Sequence, residues 1–454
     1  MKIKNTLKAS LLITLLLAST LYAAKPNIIV IYTDDHGYSD LSCQGVFDDV
    51  KTPNIDLLAT GGVRMTDGYS SAPQCVPSRA GLMSGQYQNK LKVEGNGNDL
   101  DGFDEALTIA ERLKTAGYAT GMSGKWHLGS SMQIPSHGFD WVYAKASPNG
   151  TANHDLDGKE VPMGRVTEKG YHLDVCAEAA CAFIDRFKDQ PFFYYLAFRA
   201  PHVTLDPTQE YLDRFPGKMP ERRRKALAML SAVDDGVGDV MKTLRKHGLE
   251  ENTLIFVIGD NGAPLKIKKQ DKPGGGPGWD GSLNEPMNGE KGMLAEGGIR
   301  VPFVTYWKGV IPPGQVYEQP VIALDVAATA VELAGLPEAP ELDGVNLIPY
   351  LTGKKKGAPH DLLFWRWGGQ GAVRNGNWKL LQGNDRVYLF DLSKDVGEKN
   401  NIIKQHPEIA ARLAKTFAAW SGSMPDPKIG KMSRAGSSYF DFYLDGKLPK
   451  PHSK

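Results

Sequence analysis

A short, unbroken apolar run from Asn27 to Tyr32 ends abruptly in Thr33, Asp34 and Asp35. A run without polar alternation must be buried on both faces, as in a parallel strand covered by helices on each side. The pattern recurs at Phe192 to Phe198, Leu254 to Ile258 and Phe303 to Tyr306. Helical periodicity separates these runs, at Glu105 to Ala116, Leu173 to Phe187, Arg223 to Lys246 and Asp325 to Leu333. Such alternation predicts an α/β domain with a largely parallel central sheet flanked by helices. In sheets of this kind ligands gather where the strands end, which is where the acidic pair sits.

The texture changes beyond Leu351. A Gly- and Lys-rich joint from Gly353 to Gly357 leads into three short strand-like pieces, Gly371 to Arg374, Trp378 to Leu381 and Val387 to Phe390. An amphipathic helix from Pro407 to Trp420 follows. The expected division is therefore a main domain over residues 24–352 and a smaller C-terminal α+β subdomain over 353–454. The segment Ala263 to Asn288 has little apolar content and reads as a long surface loop.

At the amino end, Lys2, Lys4 and Lys8 precede an apolar stretch from Leu11 to Leu17 and small residues around Ala23. That order predicts a signal peptide over residues 1–23 and export, to the periplasm or the medium. The stretch is well short of the roughly 20 residues of a spanning helix, so a stable membrane anchor is not expected. With 53 basic against 52 acidic residues, nothing global favours nucleic acid, and an anionic substrate must be met by local clusters. The four cysteines are Cys43, Cys75, Cys176 and Cys181. The last two lie five residues apart on a helix, on different faces, and are not expected to pair.

Asp34-Asp35 and Asp260-Asn261 each follow a buried run, where a strand breaks into a loop and adjacent side chains can converge. Three carboxylates and an amide oxygen suit a hard, oxygen-preferring cation such as Ca²⁺ or Mg²⁺. Turn formation is the competing reading of either pair alone. Further along, Cys75-Val76-Pro77-Ser78-Arg79 stands just ahead of an expected helix from Ser78 to Met83. The stretch A-G-L-M-S-G follows it. Other blocks stand in order at Asp34 to Asp40 (D-D-H-G-Y-S-D), Gly124 to Gly129 (G-K-W-H-L-G), Ala200 to His202 (A-P-H), Gly259 to Gly262 (G-D-N-G) and Gly289 to Phe303 (G-E-K-G-M-L-A-E-G-G-I-R-V-P-F).

On these residues, from about Pro26 to Thr352, the chain resembles the sulfatase family: formylglycine-dependent type I enzymes of the alkaline-phosphatase-like superfamily, among them bacterial polysaccharide sulfatases. The resemblance implies that a formylglycine-generating maturation enzyme oxidises Cys75 to Cα-formylglycine. It implies that Asp34, Asp35, Asp260, Asn261 and residue 75 ligate Ca²⁺, with Mg²⁺ the second choice. Arg79 would support residue 75, Lys125 and Lys291 would bind sulfate oxygens, and His127 and His202 would move protons. One hydroxyl of the hydrated aldehyde would attack sulfur; the other would lose a proton, to His127, as sulfate is expelled. His36 and Ala295 depart from the family's usual residues at positions without a catalytic role, and Glu296 and Arg300 are expected to be structural.

The implied substrate is a sulfated carbohydrate, an algal galactan or a glycosaminoglycan. Trp279, Trp365 and Trp367 suit stacking on sugar rings, with burial in a core as the alternative. Two rival functions are a phosphate or phosphonate ester hydrolase of the same superfamily and a non-catalytic glycan-binding relative. The G-K-W-H-L-G and E-G-G-I-R-V-P blocks favour the sulfatase over the first. The intact catalytic positions favour it over the second.

Overall fold

The computed structural model describes residues 25–147, 149–166, 169–265, 281–426 and 434–447, so the expected signal peptide and Trp279 lie outside the described residues. Ten strands form the main sheet, in the order Gln315–Tyr317, Val63–Met65, Phe303–Tyr306, Thr253–Gly259, Asn27–Asp34, Phe192–Pro201, Ala119–Gly124, Trp141–Ala144, Thr151–His154 and Glu160–Arg165. The five from Thr253–Gly259 to Trp141–Ala144 are parallel. Strand Asn27–Asp34 lies at the centre with every residue buried.

Alternate residues of that strand face two different cores. Ile28, Val30 and Tyr32 meet residues of helices Cys75–Ser84, Ile109–Thr115 and Asp325–Leu333. Ile29 and Ile31 meet helices His172–Phe187 and Glu221–Lys246. This is the two-sided burial that an unbroken apolar run requires.

Three expectations change. Strand Phe303–Tyr306 runs antiparallel to both of its neighbours. Among the described residues between it and Gly259 there is no helix longer than Glu296–Ile299, and a parallel return needs a longer crossover. The expected helix from Glu105 begins instead at Ile109, because Thr108 and Glu111 form a reciprocal capping box there. The segment expected as a surface loop from Ala263 is buried at its described ends: Ser282 and Asn284 are enclosed, and Ser39 donates to the carbonyl of Leu283 at 2.6 Å. All four cysteines are free.

Toward the carboxyl end, four strands form an antiparallel meander, Leu363–Trp367, Gln370–Asn375, Trp378–Gly383 and Arg386–Asp391. Helix Pro407–Ser423 packs on one face through Leu413 and Phe417. The other face packs on Met293, Leu294 and Ile299 of the main domain. Leu363–Trp367 is a strand that the pattern did not predict. Trp365 takes the core alternative: it is fully enclosed there and donates its indole N–H to the Ser70 carbonyl at 2.8 Å. Trp367 is half-buried, with its ring lying over Gly292.

A buried ionic clasp joins this sheet to the main domain. Lys379 pairs with Glu296 at 2.7 Å and Glu398 at 2.9 Å, all three without solvent exposure. Glu296 also takes Arg300 at 3.1 Å and the Tyr69 hydroxyl at 2.7 Å, and its amide donates to Glu398 at 2.6 Å. Burial raises the Glu296 pKa, but Lys379, Arg300 and Arg374 outweigh it and hold the carboxyl below its ordinary value. Removing Lys379 leaves the buried Glu398 without its cation and Glu296 with Arg300 as its remaining ion pair. Lys379→Met should therefore lower stability by about 3–5 kcal/mol in denaturant unfolding, whereas Lys114→Met, at an exposed pair with Asp140, should barely move the midpoint.

Candidate active site

The carboxyl ends of four adjacent strands converge on one spot. Asn27–Asp34 delivers Asp34 and then Asp35; Thr253–Gly259 delivers Asp260 and Asn261; Ala119–Gly124 leads to Lys125 and His127; Phe192–Pro201 leads to His202. Asp35 and His127 both adopt left-handed backbone, at φ 57° and 62°, which a non-glycine residue holds at some cost. Trp126 explains how the second turn is kept: it is buried against Phe103 and Phe139, so Lys125 and His127 are anchored through the residue between them. Gly124 makes the turn possible, since a Cβ there would lie 2.0 Å from the Ala197 carbonyl oxygen. Gly262 does the same for the Asp260 turn, where a Cβ would meet the Gly297 oxygen at 1.8 Å.

Cys75 is the first residue of helix Cys75–Ser84, not a residue ahead of it. Pro77 falls in the first turn, where a missing N–H costs nothing. The side chain of Asn96 accepts from the Val76 amide at 3.1 Å and helps to fix this helix start. The Cys75 thiol is wholly enclosed, 3.2 Å from Asp34 Oδ1 and 3.1 Å from Lys291 Nζ. Its pKa is pushed well above the ordinary thiol value, by burial first and then by the charges of Asp260 and Asp34.

Around it lie three carboxylates and three cations. Arg79, fully buried, donates to Asp260 Oδ2 at 3.0 Å, the Lys125 carbonyl at 2.9 Å and the Tyr195 hydroxyl at 3.1 Å, and lies 3.8 Å from Asp34. Lys125 pairs with Asp34 Oδ2. Lys291 pairs with Asp35 Oδ1 at 2.5 Å, and the Asn261 amide donates to the same oxygen at 2.6 Å. His202 Nε2 stands 3.7 Å from Asp35 Oδ2, and its Nδ1 lies 2.5 Å from the Val203 carbonyl.

Burial opposes ionisation of Asp34, yet Lys125, His202 and Arg79 hold its carboxyl well below the ordinary value. Asp260 goes the other way, raised by burial and by the charge of Asp34. His127 is exposed at the rim, and its imidazole is pushed down to about 3, by desolvation first and then by Lys125 and Arg79. His36, in contrast, is enclosed between the Thr33 hydroxyl and the Asp40 carbonyl, each at 2.9 Å, and is a structural residue.

The donor set fits a divalent cation. Ligand atoms of Asp34, Asp35, Cys75 and Asp260 lie within 4.8 Å of one another. Asn261 Oδ1 is buried beside them without a hydrogen-bond partner. An enclosed acceptor without a donor, set among three carboxylates, suits a hard cation.

Two cavities open beside the cluster and share His202 and Val203. One, of about 230 Å³, is lined by Asp35, Gln74, Glu290, Lys291 and Tyr439 among others. The other, of about 720 Å³, runs past Lys125, Trp126, His127, Asn149 and Arg199. Gln74, Glu290, Arg199 and Tyr439 were not singled out in the sequence. Nor was Gln370, whose side chain accepts from the Leu294 amide and donates to the Gly292 carbonyl, both at 3.0 Å, and so grips the turn that carries Lys291. Glu290 adjoins Lys291 within a motif block, which was a usable signal; Tyr439 and Gln370 come from distant segments and had none.

The family model described as Sulfatase matches residues 26–336, and one described as N-sulphoglucosamine sulphohydrolase, C-terminal, matches residues 289–421. Arylsulfatase A of Bos taurus is 32% identical over 470 residues, covering 88% of this chain and 87% of that one. N-acetylgalactosamine-6-O-sulfatase of Bacteroides thetaiotaomicron is 28% identical over 489 residues, covering 86% and 92%. The crystal structure of Ps i-CgsB in complex with k-i-k-neocarrahexaose aligns with a TM-score of 0.78 and 30% identity, over 94% of this chain and 98% of that one. With more than half its length matched and its strand-end chemistry in place, the chain belongs to the sulfatase family and is an enzyme that hydrolyses sulfuric esters.

Proposed function

We propose that the protein is an exported sulfatase acting on a sulfated carbohydrate, with residue 75 serving as formylglycine and a divalent cation, Ca²⁺ before Mg²⁺, held by Asp34, Asp35, Asp260, Asn261 and residue 75. The observation that carries this reading is the position of Cys75. It opens a helix where Asp34, Asp35 and Asp260 converge and Lys291 reaches its side chain, so an oxygen nucleophile made there by modification would sit between the cation's ligands and a sulfate-binding lysine. As the hydrated aldehyde, residue 75 supplies two hydroxyls on one carbon, one to attack sulfur and one whose deprotonation releases sulfate. Because Cys75 is fully buried in the folded chain, the maturation enzyme has to meet it before folding.

Charge supports the same reading. Asp34, Asp35 and Asp260 are balanced by Arg79, Lys125 and Lys291, so a divalent cation leaves the site positive and ready for an anionic ester. When bound, the cation supplies Lewis-acid polarisation of the sulfate oxygens. Lys125 and Lys291 stay protonated: desolvation opposes it, but Asp34 and Asp35 respectively prevail. Arg79 holds the helix start, Asp260 and the Lys125 turn in one rigid frame. His127, at the rim beside Lys125, is the group that would take the proton as sulfate leaves. If His202 donates Nδ1–H to the Val203 carbonyl, its Nε2 is left to exchange protons with the leaving oxygen.

The carbohydrate reading is supported by a cleft that extends on both sides of His202, and by relatives whose names refer to N-acetylgalactosamine and to a neocarrahexaose complex. Export rests on the basic, apolar and small-residue order of the first 23 residues.

The enzyme should bind one divalent cation per chain by elemental analysis, and Asp260→Ala should lose it; full occupancy in that variant would remove these residues from the cation site. His202→Ala should lose about 10² to 10⁴ in kcat/KM for release of sulfate from a sugar, and visibly less from 4-nitrophenyl sulfate, whose leaving oxygen needs little protonation. Equal losses on the two esters would take the proton-donor role away from His202.

A further inference from the structure

We propose that Tyr439, carried by the helix Arg434–Tyr443, is a sugar-binding platform of the active site, so that the chain's last described helix supplies part of the substrate's specificity. The inference rests on the carbohydrate reading and assigns a residue to it. The helix is fixed from two sides. Phe440 is fully buried in the core between the meander and the main domain, edge-on to Tyr388 at 5.8 Å. The Asn288 side chain donates to the Tyr443 carbonyl at 2.6 Å, tying the helix to the segment that carries Lys291.

Held in this way, Tyr439 lines the same cavity of about 230 Å³ as Asp35, His202 and Lys291. Among the described residues lining it, Tyr439 is the one phenyl-type ring, and Gln74 and Glu290 stand on the same wall system as polar neighbours. A sugar ring has that divided character, with C–H faces for an aromatic surface and hydroxyls for amide and carboxylate groups. The phenol is pushed up to about 12, by burial first and then by the charge of Glu290, and so remains a neutral ring at any working pH. The cavity has room for a single sugar unit beside Lys291. Of the described tryptophans considered for stacking, Trp365 is core and Trp367 is half-buried over Gly292, and neither lines this cavity.

The test uses the full-length, cation-loaded enzyme and a panel of defined sulfated galactose, galactosamine and glucosamine saccharides. Inorganic sulfate, which has no ring to stack, serves as a competitive inhibitor. Tyr439→Ala should raise KM for the best saccharide about three- to tenfold, while the inhibition constant of inorganic sulfate stays within about twofold. Tyr439→Phe and Tyr439→Trp should keep KM within about twofold of the parent, since each retains a flat apolar face. An unchanged KM in Tyr439→Ala overturns the platform. So does a Tyr439→Phe loss as large as that of Tyr439→Ala, which would make the hydroxyl the contact, or a joint loss of saccharide and sulfate affinity, which would make the ring a mere support for the Lys291 segment. If the parent enzyme cleaves 4-nitrophenyl sulfate but no saccharide in the panel, the carbohydrate reading fails and takes the platform with it.

Discussion

Three carboxylates packed together away from water repel one another, and the architecture of this site follows from the need to hold them. Asp34, Asp35 and Asp260 are fully enclosed. An enclosed ion loses hydration that is recovered only through well-placed opposite charge and hydrogen bonds. Arg79 meets that need from the centre. It binds Asp260, lies near Asp34, rests over the Tyr32 ring at 5.3 Å and bonds the carbonyl of Lys125. One guanidinium therefore ties the helix that starts at Cys75 to two strand ends and to the turn bearing Lys125 and His127. Its planar, always-charged fork does this where a lysine ammonium could not reach as many partners.

The fold is arranged around the same requirement. Parallel strands place their carboxyl ends along one edge, and four neighbouring ends are enough to bring Asp34, Asp35, Lys125, His202, Asp260 and Asn261 together without long flexible loops. Lys291 is the exception. It sits on an irregular turn, and that turn is held by Gln370 of the C-terminal meander, with the Lys379 clasp a few residues further on. The smaller sheet is therefore part of the site's support, since it fixes the cation that faces Asp35 and Cys75.

The strand ends were legible in the sequence because burial on both faces leaves an unmistakable apolar run, and polar residues directly after it must lie at the sheet's edge. Asp34, Asp35, Asp260 and Asn261 could be placed at that edge in this way, with turn formation still the competing reading until the motif resemblance was added. Lys125, His127, His202 and Lys291 carry no such signature; the motif resemblance located them, and the structure brings them to the same spot. What stayed hidden depends on long-range packing. Trp365 looks the same in sequence whether it stacks on a sugar or closes a core, and its bond to the Ser70 carbonyl spans nearly 300 residues. Tyr195, Gln370 and Tyr439 act at the site through tertiary contact, with no local pattern to mark them. The direction of strand Phe303–Tyr306 stayed hidden for a related reason, because an apolar run records burial but not direction.

The account turns on residue 75 being an oxygen nucleophile made from a cysteine. Peptide mass spectrometry of the segment around Cys75, on enzyme whose sulfate release has been measured on the same preparation, tests this most directly. The account predicts an aldehyde or its hydrate at position 75, in a fraction that rises and falls with specific activity. Fully active enzyme carrying an ordinary cysteine throughout would contradict it.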